Sequence, residues 1–310
     1  MAALDQDIDI HAKVACAECG HEDHSLLKHL RETHGISVED YRSKHPDAEV
    51  LSPFGQTVYE RMLHARKAAQ GEAKKVNYDS MKTFGLGFGS KEVSKPIPGY
   101  DGFMADDGVP VVDETYVFSS VARDALMGFV AGGNIYAFGP TGSGKTSMFE
   151  QFAARLGRPF YRCQFHGQME PAELTGIWTV NERGSMEFMY AGLVEALRKP
   201  SIIVLDEYDS GNPVVTAMAN AILERKPLVL SNKGGEQIHP HPDCWICATG
   251  NTNGMGDDTG LYASTSVQSF ATMNRFSMFL SIDYLKPDEE KEILRQRYPA
   301  LLEEDVKDLV

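Results

Sequence analysis

Eight consecutive residues, 139–146, have the composition of a phosphate-binding loop. An apolar run precedes them, and a segment with helical apolar spacing follows them. Glycines in such a loop let consecutive backbone N–H groups face a phosphate, where the positive end of the next helix also points. We therefore expect a nucleoside triphosphate, ATP in our interpretation, bound by Gly139, Pro140, Thr141, Gly142, Ser143, Gly144, Lys145, Thr146 and Ser147.

Two side chains of this loop have chemical roles of their own. The Lys145 ammonium is expected to reach the β- and γ-phosphates, and the Thr146 hydroxyl is expected to ligate Mg²⁺. Tyr116 and Val117, which lie upstream in the chain, are placed to cover an adenine ring.

Two later apolar runs end in polar residues suited to hydrolysis. One ends in Asp206 and Glu207, and the other ends in Asn251. Buried parallel strands deliver the residues at their carboxyl ends to one edge of a sheet. We predict that Asp206 holds Mg²⁺ and that Glu207 orients and deprotonates the attacking water. Asn251 is predicted to sense the γ-phosphate or the water.

Arg275 precedes a further apolar run at 278–282. An arginine there can neutralise charge developing on a γ-phosphate, and one supplied by a neighbouring subunit would couple hydrolysis to assembly. A surface salt bridge is the alternative interpretation. Cys244 and Cys247 repeat a Cys-x-x-Cys spacing, but alternation along a strand sends them to opposite faces, so we interpret both as core residues.

A second candidate site lies near the N-terminus, where two cysteines precede a short helix that carries two histidines. Such a set suits a closed, structural, tetrahedral Zn²⁺ site. The predicted ligands are Cys16, Cys19, His29 and His34, with His21 and His24 as competitors and an unmetallated helical hairpin as the alternative.

Composition and charge narrow the class of protein. The 310 residues suffice for about two domains. The apolar runs are too short to cross a bilayer and the N-terminus carries acids, so we expect a cytoplasmic protein with no membrane contact. A net charge of −14 favours protein partners over a large nucleic-acid footprint.

The predicted fold class is α/β, a P-loop core in which helices flank a parallel sheet, with a small zinc-finger-like module before it. The expected divisions are this module at 1–64, a linker at 65–109, the ATPase core at 110–282 and the start of a helical lid at 283–310. We also predict a hairpin over residues 176–190. Its aromatic residues either contact a substrate or partner, or pack against their own domain.

The N-terminal ligand spacing, with the tail at 35–42, resembles the zinc finger of the Ros/MucR bacterial regulators, which bind DNA. Residues 1–70 hold 8 Lys plus Arg against 12 Asp plus Glu, a net charge of −4. Such a surface repels phosphate, so we favour protein docking while DNA or RNA contact stays open.

The order of the nucleotide motifs resembles the MoxR branch of the AAA+ ATPases and, more closely, the cobaltochelatase CobS subunits. The similarity runs from about residue 116 to 285 and includes the stretches 205–211, 248–252, 256–262 and 274–276. It implies a homo-oligomeric ring, a hexamer, with nucleotide at subunit interfaces and Arg275 acting in trans. It also implies a partner with a von Willebrand A-type domain.

In cobaltochelatase such rings drive cobalt insertion into a corrin by a separate large subunit. The function that the resemblance implies is therefore ATP hydrolysis that remodels a partner protein complex. One alternative is a nucleic-acid-associated ATPase or regulator whose zinc finger binds DNA. Another is a non-catalytic, ATP-gated scaffold, which the Asp206–Glu207 pair argues against.

Overall fold

The computed structural model describes residues 12–56, 73–180, 184–256, 265, 267–298 and 300. The chain divides into two units, Met1–Glu72 and Ala73–Val310. The turn of the predicted hairpin at 181–183, the stretch 257–262 and most of the predicted lid after residue 298 lie outside the described residues.

The first unit is small and forms around three fully buried side chains, those of Leu26, Leu30 and Tyr41. The Tyr41 hydroxyl accepts a 2.7 Å hydrogen bond from the Ala17 N–H, which joins the second helix to the loop after the first strand. Its elements are β1 (Val14–Ala15), β2 (Glu22–Asp23), α1 (Leu27–His29), a π-helical turn (Leu30–His34) and α2 (Val38–Lys44).

The second unit contains the remaining strands and helices. The strands are β3 (Lys74–Asp79), β4 (Pro96–Asp101), β5 (Ile135–Phe138), β6 (Phe160–Gln164), β7 (Gly176–Val180), β8 (Met186–Tyr190), β9 (Ile202–Asp206), β10 (Leu228–Leu230), β11 (Glu236–Ile238), β12 (Trp245–Gly250) and β13 (Met278–Ser281). The helices are α3 (Ser80–Phe84), α4 (Ser120–Val130), α5 (Lys145–Arg155), α6 (Pro171–Thr175), α7 (Gly192–Leu197), α8 (Pro213–Leu223), α9 (Phe270–Met273) and α10 (Pro287–Arg297).

A five-stranded sheet with the order β13-β5-β12-β9-β6 forms the centre of this unit, and all its neighbouring strands are parallel. Every residue of β9 and β12 is buried, as expected for strands covered by helices on both faces. The α/β prediction is confirmed, and the four apolar runs described in the sequence coincide with β5, β9, β12 and β13 of this sheet.

Two cores lie on opposite faces of the sheet because strand residues alternate in direction. Ile203, Leu205 and Ile246 belong to one core, whereas Val204 and Trp245 belong to the other. Cys244 packs in the first core and Cys247 in the second, so the prediction that they face opposite ways is confirmed.

The predicted linker at 65–109 is wrong for the part that the structure describes. Strands β3 and β4 pair over six residues each, and Phe84 and Ile97 are buried in the core beside α5. The prolines and glycines of this stretch are typical of a linker, but proline is also tolerated in an edge strand, and both strands of a two-stranded ribbon are edge strands. Gly99 permits close approach, since a Cβ there would lie 2.5 Å from the Leu156 carbonyl oxygen.

The predicted hairpin is present, since β7 and β8 are antiparallel with Trp178 opposite Phe188. Among the residues that the structure describes, none of the helices has both the length and the apolar character of a membrane span.

Candidate nucleotide site and candidate metal centre

The phosphate-binding loop connects β5 to the first turn of α5, as the sequence predicts. Gly142 and Gly144 have φ values of +83° and +82°, which glycine adopts without strain. At Gly139 the limit is space, because a Cβ would lie 1.9 Å from the backbone oxygen of Ile282. The loop is thus seated directly against the chain that follows β13.

Lys145 is buried at the start of α5, and its ammonium donates to the carbonyls of Gly139 and Pro140 at 2.8 and 2.7 Å. It also lies 3.4 Å from the Asn251 Oδ1. Burial lowers the pKa of Lys145, while Asp206, Asp209 and Glu207 oppose that shift. A cation held in this way suits anionic phosphates.

Asp206 ends β9 with its carboxylate almost completely buried, and it meets donors from three elements. Its Oδ1 accepts from the hydroxyl of Thr146 at 2.7 Å and from that of Thr249. Its Oδ2 accepts from Arg162 at 2.5 Å. The adjoining hydroxyl and carboxylate oxygens of Thr146 and Asp206 are the donor type that Mg²⁺ prefers, so the predicted pair fits that ion.

Glu207 follows directly in a left-handed conformation, with φ of +53°. A non-glycine residue adopts this region at a cost, so the conformation marks a place where the surrounding structure dictates the backbone. The Glu207 N–H donates to the Thr249 hydroxyl at 3.1 Å, and its Oε2 accepts from the Gln164 amide at 3.1 Å. The carboxylate is thus held at the sheet edge where the phosphate loop begins.

Asn251 is brought beside the loop from the end of β12. Its side-chain oxygen lies 3.4 Å from both the Lys145 ammonium and the Thr141 hydroxyl. Its backbone N–H donates to the buried carboxylate of Asp209 at 3.0 Å. Burial raises the pKa of Asp209, against the lowering effect of the bonds from Thr252 and Asn251.

A cleft of about 530 Å³ lies beside the loop. Tyr116 and Val117 form part of its wall with Gly142, Gly144 and Ser147, and α10 contributes Ile293 and Arg297. The Arg297 guanidinium bonds the Asp113 carboxylate at 2.5 Å. The residues predicted to cover the base therefore line the same cleft as the phosphate loop.

Arg275 is the one predicted catalytic residue that the structure does not bring to the sheet edge where the phosphate loop begins. Its guanidinium bonds the Glu224 carboxylate, with Nε at 2.6 Å, and its carbonyl accepts from the Asn134 amide at 3.0 Å. Asn134 precedes β5, whereas the phosphate loop follows it. The four residues of β5 span about 13 Å, so Arg275 lies at the opposite edge of the sheet.

The four predicted zinc ligands meet in the first unit, with their donor atoms all within 4.8 Å of one another. The Cys16 Sγ lies 3.6 Å from the His34 Nε2, the Cys19 Sγ lies 3.2 Å from the His29 Nε2, and the two Nε2 atoms are 3.1 Å apart. Tetrahedral bonds of about 2.0–2.3 Å to one ion give ligand separations of about 3.3–3.8 Å. The arrangement therefore fits zinc.

Local backbone geometry explains how these histidines meet. His29 and His34 are five residues apart, and at about 100° per residue an α-helix would point them apart. The turn Leu30–His34 is instead π-helical, and the larger number of residues in each of its turns brings residues five apart onto one face. The competing His21 stacks on His29, and His24 bonds Ser52 at 3.0 Å, so neither belongs to the cluster.

Sequence reasoning missed several residues that contact the predicted machinery. They are Arg162 and Gln164 on β6, Thr249 on β12, and Gln151 and Arg155 on α5. The last two bond the backbone of the segment 111–113 through their side chains. Two polar residues on one face of β6 were the available signal. Their partners, however, lie more than forty residues away.

Comparison with known proteins places this site in a family context. Residues 136–279 match the family described as "AAA domain (dynein-related subfamily)". The aerobic cobaltochelatase subunit CobS of a Sinorhizobium species is 32% identical over 202 residues, which are 64% of this chain and 60% of that protein.

Midasin of Dictyostelium discoideum is 36% identical over 159 residues, 51% of this chain but 3% of that protein. The uncharacterized protein YojN of Bacillus subtilis is 24% identical over 214 residues, 68% of this chain and 66% of that protein. The chain thus spans 60% or less of the first two relatives. The five-stranded parallel sheet, the phosphate loop and the family match make residues 136–279 a P-loop AAA domain, which is an ATP-hydrolysing enzyme domain.

Proposed function

We propose that the protein is an ATP-hydrolysing ring ATPase of the MoxR/CobS type that remodels a partner protein complex. The observation that carries this proposal is the meeting of Lys145, Asp206, Glu207 and Asn251 at one sheet edge, beside the nucleotide cleft. A site that only binds nucleotide does not require a carboxylate held as Glu207 is.

In the proposed reaction each residue has a separate task. Lys145 binds the β- and γ-phosphates, and Glu207 accepts a proton from the attacking water while Gln164 fixes its orientation. Mg²⁺, when bound at Thr146 and Asp206, supplies charge neutralisation at the phosphates. Asn251 senses the γ-phosphate and transmits its presence through Asp209 to the segment after β9.

The position of Arg275 supports the proposed ring. This residue lies at the edge of the sheet opposite its own phosphate loop, so a nucleotide that it serves would be bound to another copy. A ring places the amino edge of one protomer near the cleft of the next, and a hexamer is the stoichiometry proposed. The partner would carry a von Willebrand A-type domain, and cobalt chelation is one candidate setting.

The hairpin of β7 and β8 is the proposed contact with a substrate or partner. Ile177, Trp178, Val180, Met186 and Met189 are 47–64% exposed, although the base is anchored by the buried Phe188. Trp178 is oriented by a 2.8 Å hydrogen bond from its Nε1 to the Asn232 carbonyl. Exposed apolar groups on an anchored hairpin suit mechanical contact with another protein.

The first unit would hold one structural Zn²⁺ through Cys16, Cys19, His29 and His34. Four protein ligands leave no open position for a substrate, so the ion would stabilise the fold. The net charge of this segment favours docking to protein.

The test is ATP turnover by the full chain, with its mass in solution measured with ATP. Glu207→Gln is expected to bind ATP normally and lose about 10²–10⁴-fold in turnover. Arg275→Ala should also lose turnover without losing ATP binding, whereas Arg198→Ala, which removes an exposed arginine outside the site, should not.

Mixing variants tests the trans arrangement directly. Lys145→Ala and Arg275→Ala are each expected to be inactive alone. A mixed ring would contain interfaces with an intact loop from one subunit and an intact arginine from the other. Mixing should therefore restore part of the turnover. No restoration, or full activity of Glu207→Gln, would overturn the respective assignment.

A further inference from the structure

Asp206, the proposed Mg²⁺ residue, already has a cationic partner within its own chain. The Arg162 Nε donates to the Asp206 Oδ2 at 2.5 Å, and the Nη2 of the same guanidinium lies 2.5 Å from that oxygen. The other oxygen, Oδ1, accepts from Thr146 and Thr249. Both carboxylate oxygens that a metal could use are therefore contacted by donors.

The two charged groups differ in their freedom to move. The Asp206 side chain is 5% exposed and fixed by two hydroxyls, whereas the Arg162 side chain is 49% exposed. Arg162 also lies on β6, the edge strand of the sheet, so nothing in the strand order covers it from outside. The guanidinium can leave the carboxylate without disturbing the core, but the carboxylate cannot follow it.

We propose that Arg162 is a positioning residue that competes with Mg²⁺ for Asp206 and so makes the site accept the metal only together with nucleotide. This inference rests on the proposed function of the same site. A guanidinium and Mg²⁺ need the same lone pairs and repel each other, so the bound arginine disfavours the metal alone. The phosphates of ATP arrive with the metal and offer the released guanidinium a new anionic partner.

The consequence is a coupling between metal and nucleotide. Free Mg²⁺ would bind weakly because it must displace Arg162 into water. The Mg²⁺–ATP pair would bind well because the ATP phosphates give the displaced Arg162 guanidinium a new anionic partner. Arg162 acts in this scheme through Asp206 and takes no part in the bond changes.

The direct probe is Mn²⁺ binding to the full-length, zinc-loaded protein without nucleotide, followed by electron paramagnetic resonance. The Asp206→Asn variant is the control for specificity, and only the Mn²⁺ binding that this variant loses is counted as binding at Asp206. Arg162→Gln should bind Mn²⁺ about tenfold more tightly than the unmodified protein, and Arg162→Lys, which keeps the charge but loses the double contact, should lie between them. Arg198→Gln, a matched loss of an exposed arginine, should leave Mn²⁺ affinity unchanged.

The same order should appear in the Mg²⁺ concentration at which ATP binding is half-maximal, measured by calorimetry. Mn²⁺ affinity in both Arg162 variants that equals or falls below that of the unmodified protein would overturn the proposal. Neither readout involves hydrolysis. If the unmodified protein showed no ATP turnover but the Arg162 variants bound Mn²⁺ more tightly, the proposed ATPase function would be rejected and the competition would stand. If the unmodified protein turned over ATP but the Arg162 variants did not bind Mn²⁺ more tightly, only the competition would be rejected.

Discussion

A buried arginine fastens three segments of the ATPase unit together, and its removal should be costly. Arg158 has no exposed surface, and its guanidinium donates to the carbonyls of Pro98, Pro200 and Asp243 at 2.9, 3.1 and 2.7 Å. It also stacks 4.0 Å from the Trp245 ring. These carbonyls belong to β4 and to the segments that enter β9 and β12.

The magnitude follows from counting what Arg158→Met leaves behind. The hydrogen bond to the Pro200 carbonyl is buried, and those to the Pro98 and Asp243 carbonyls are partly buried. Without their donor these carbonyls cost at most about 1–3 kcal/mol each, so about 3–9 kcal/mol together is an upper bound. The lost cation–π contact adds about 1–2 kcal/mol. Relief from burying a charge offsets part of this, since burial lowers the pKa of Arg158 to about 10. A net loss of about 3–5 kcal/mol is expected, as for removing one partner from a buried charged network.

Urea denaturation of the unmodified protein and the variant, followed by tryptophan fluorescence, measures this difference. In thermal denaturation followed by the same signal, the melting temperature of the variant should lie about 6–20 °C below that of the unmodified protein. Arg198→Met is the matched control, at an arginine whose side chain is 38% exposed and pairs with Glu195 and Glu236. It should change the free energy of unfolding by about 1 kcal/mol or less. A loss below about 1 kcal/mol for Arg158→Met would refute the reasoning that the three carbonyls depend on this side chain.

Three further changes test other parts of the two sites. Gly139→Ala places a Cβ 1.9 Å from the Ile282 carbonyl oxygen, so the loop must shift at about 1–3 kcal/mol and ATP affinity by calorimetry should fall; unchanged affinity would contradict the packing argument. Arg297→Gln breaks a partly exposed ion pair with Asp113 worth about 0–1 kcal/mol, so the free energy of unfolding should hardly change. Fluorescence titration should nevertheless show several-fold weaker ATP binding, because the cleft loses a cation. Equal ATP affinity would argue against that role of Arg297. Cys16→Ser should lose the zinc found by metal analysis and speed proteolysis within residues 12–56; full zinc retention would count against this ligand set.

Features that one stretch of sequence determines were predictable. The phosphate loop carries its glycines, lysine and threonine within eight residues, and the strands of the central sheet are continuous apolar runs. The meeting of Asp206, Glu207 and Asn251 with the loop then follows from parallel topology, since parallel strands end at one edge. The meeting of the four proposed zinc ligands was predictable for the same reason, because all four lie within nineteen residues.

Pairings between distant segments were not predictable. Arg162 meets Asp206 only when β6 pairs with β9, and the sequence around neither residue predicts the other as its partner. The ribbon of β3 and β4 was mistaken for a linker because its prolines and glycines outweigh its few apolar residues. Its stability comes from contacts elsewhere, above all from Arg158 at the Pro98 carbonyl.

The same limit applies to the proposed division of the catalytic set between chains. The sequence predicts roles for Lys145, Glu207 and Arg275 but does not say whether one chain brings them together. The sheet presents the first two at its carboxyl edge and Arg275 at its amino edge, which supports the proposal that Arg275 acts on a neighbouring chain. Within a protomer Arg275 pairs with Glu224, an ion pair that a neighbour's nucleotide would have to replace. If the proposed ring forms, that exchange is the step at which assembly would enable hydrolysis.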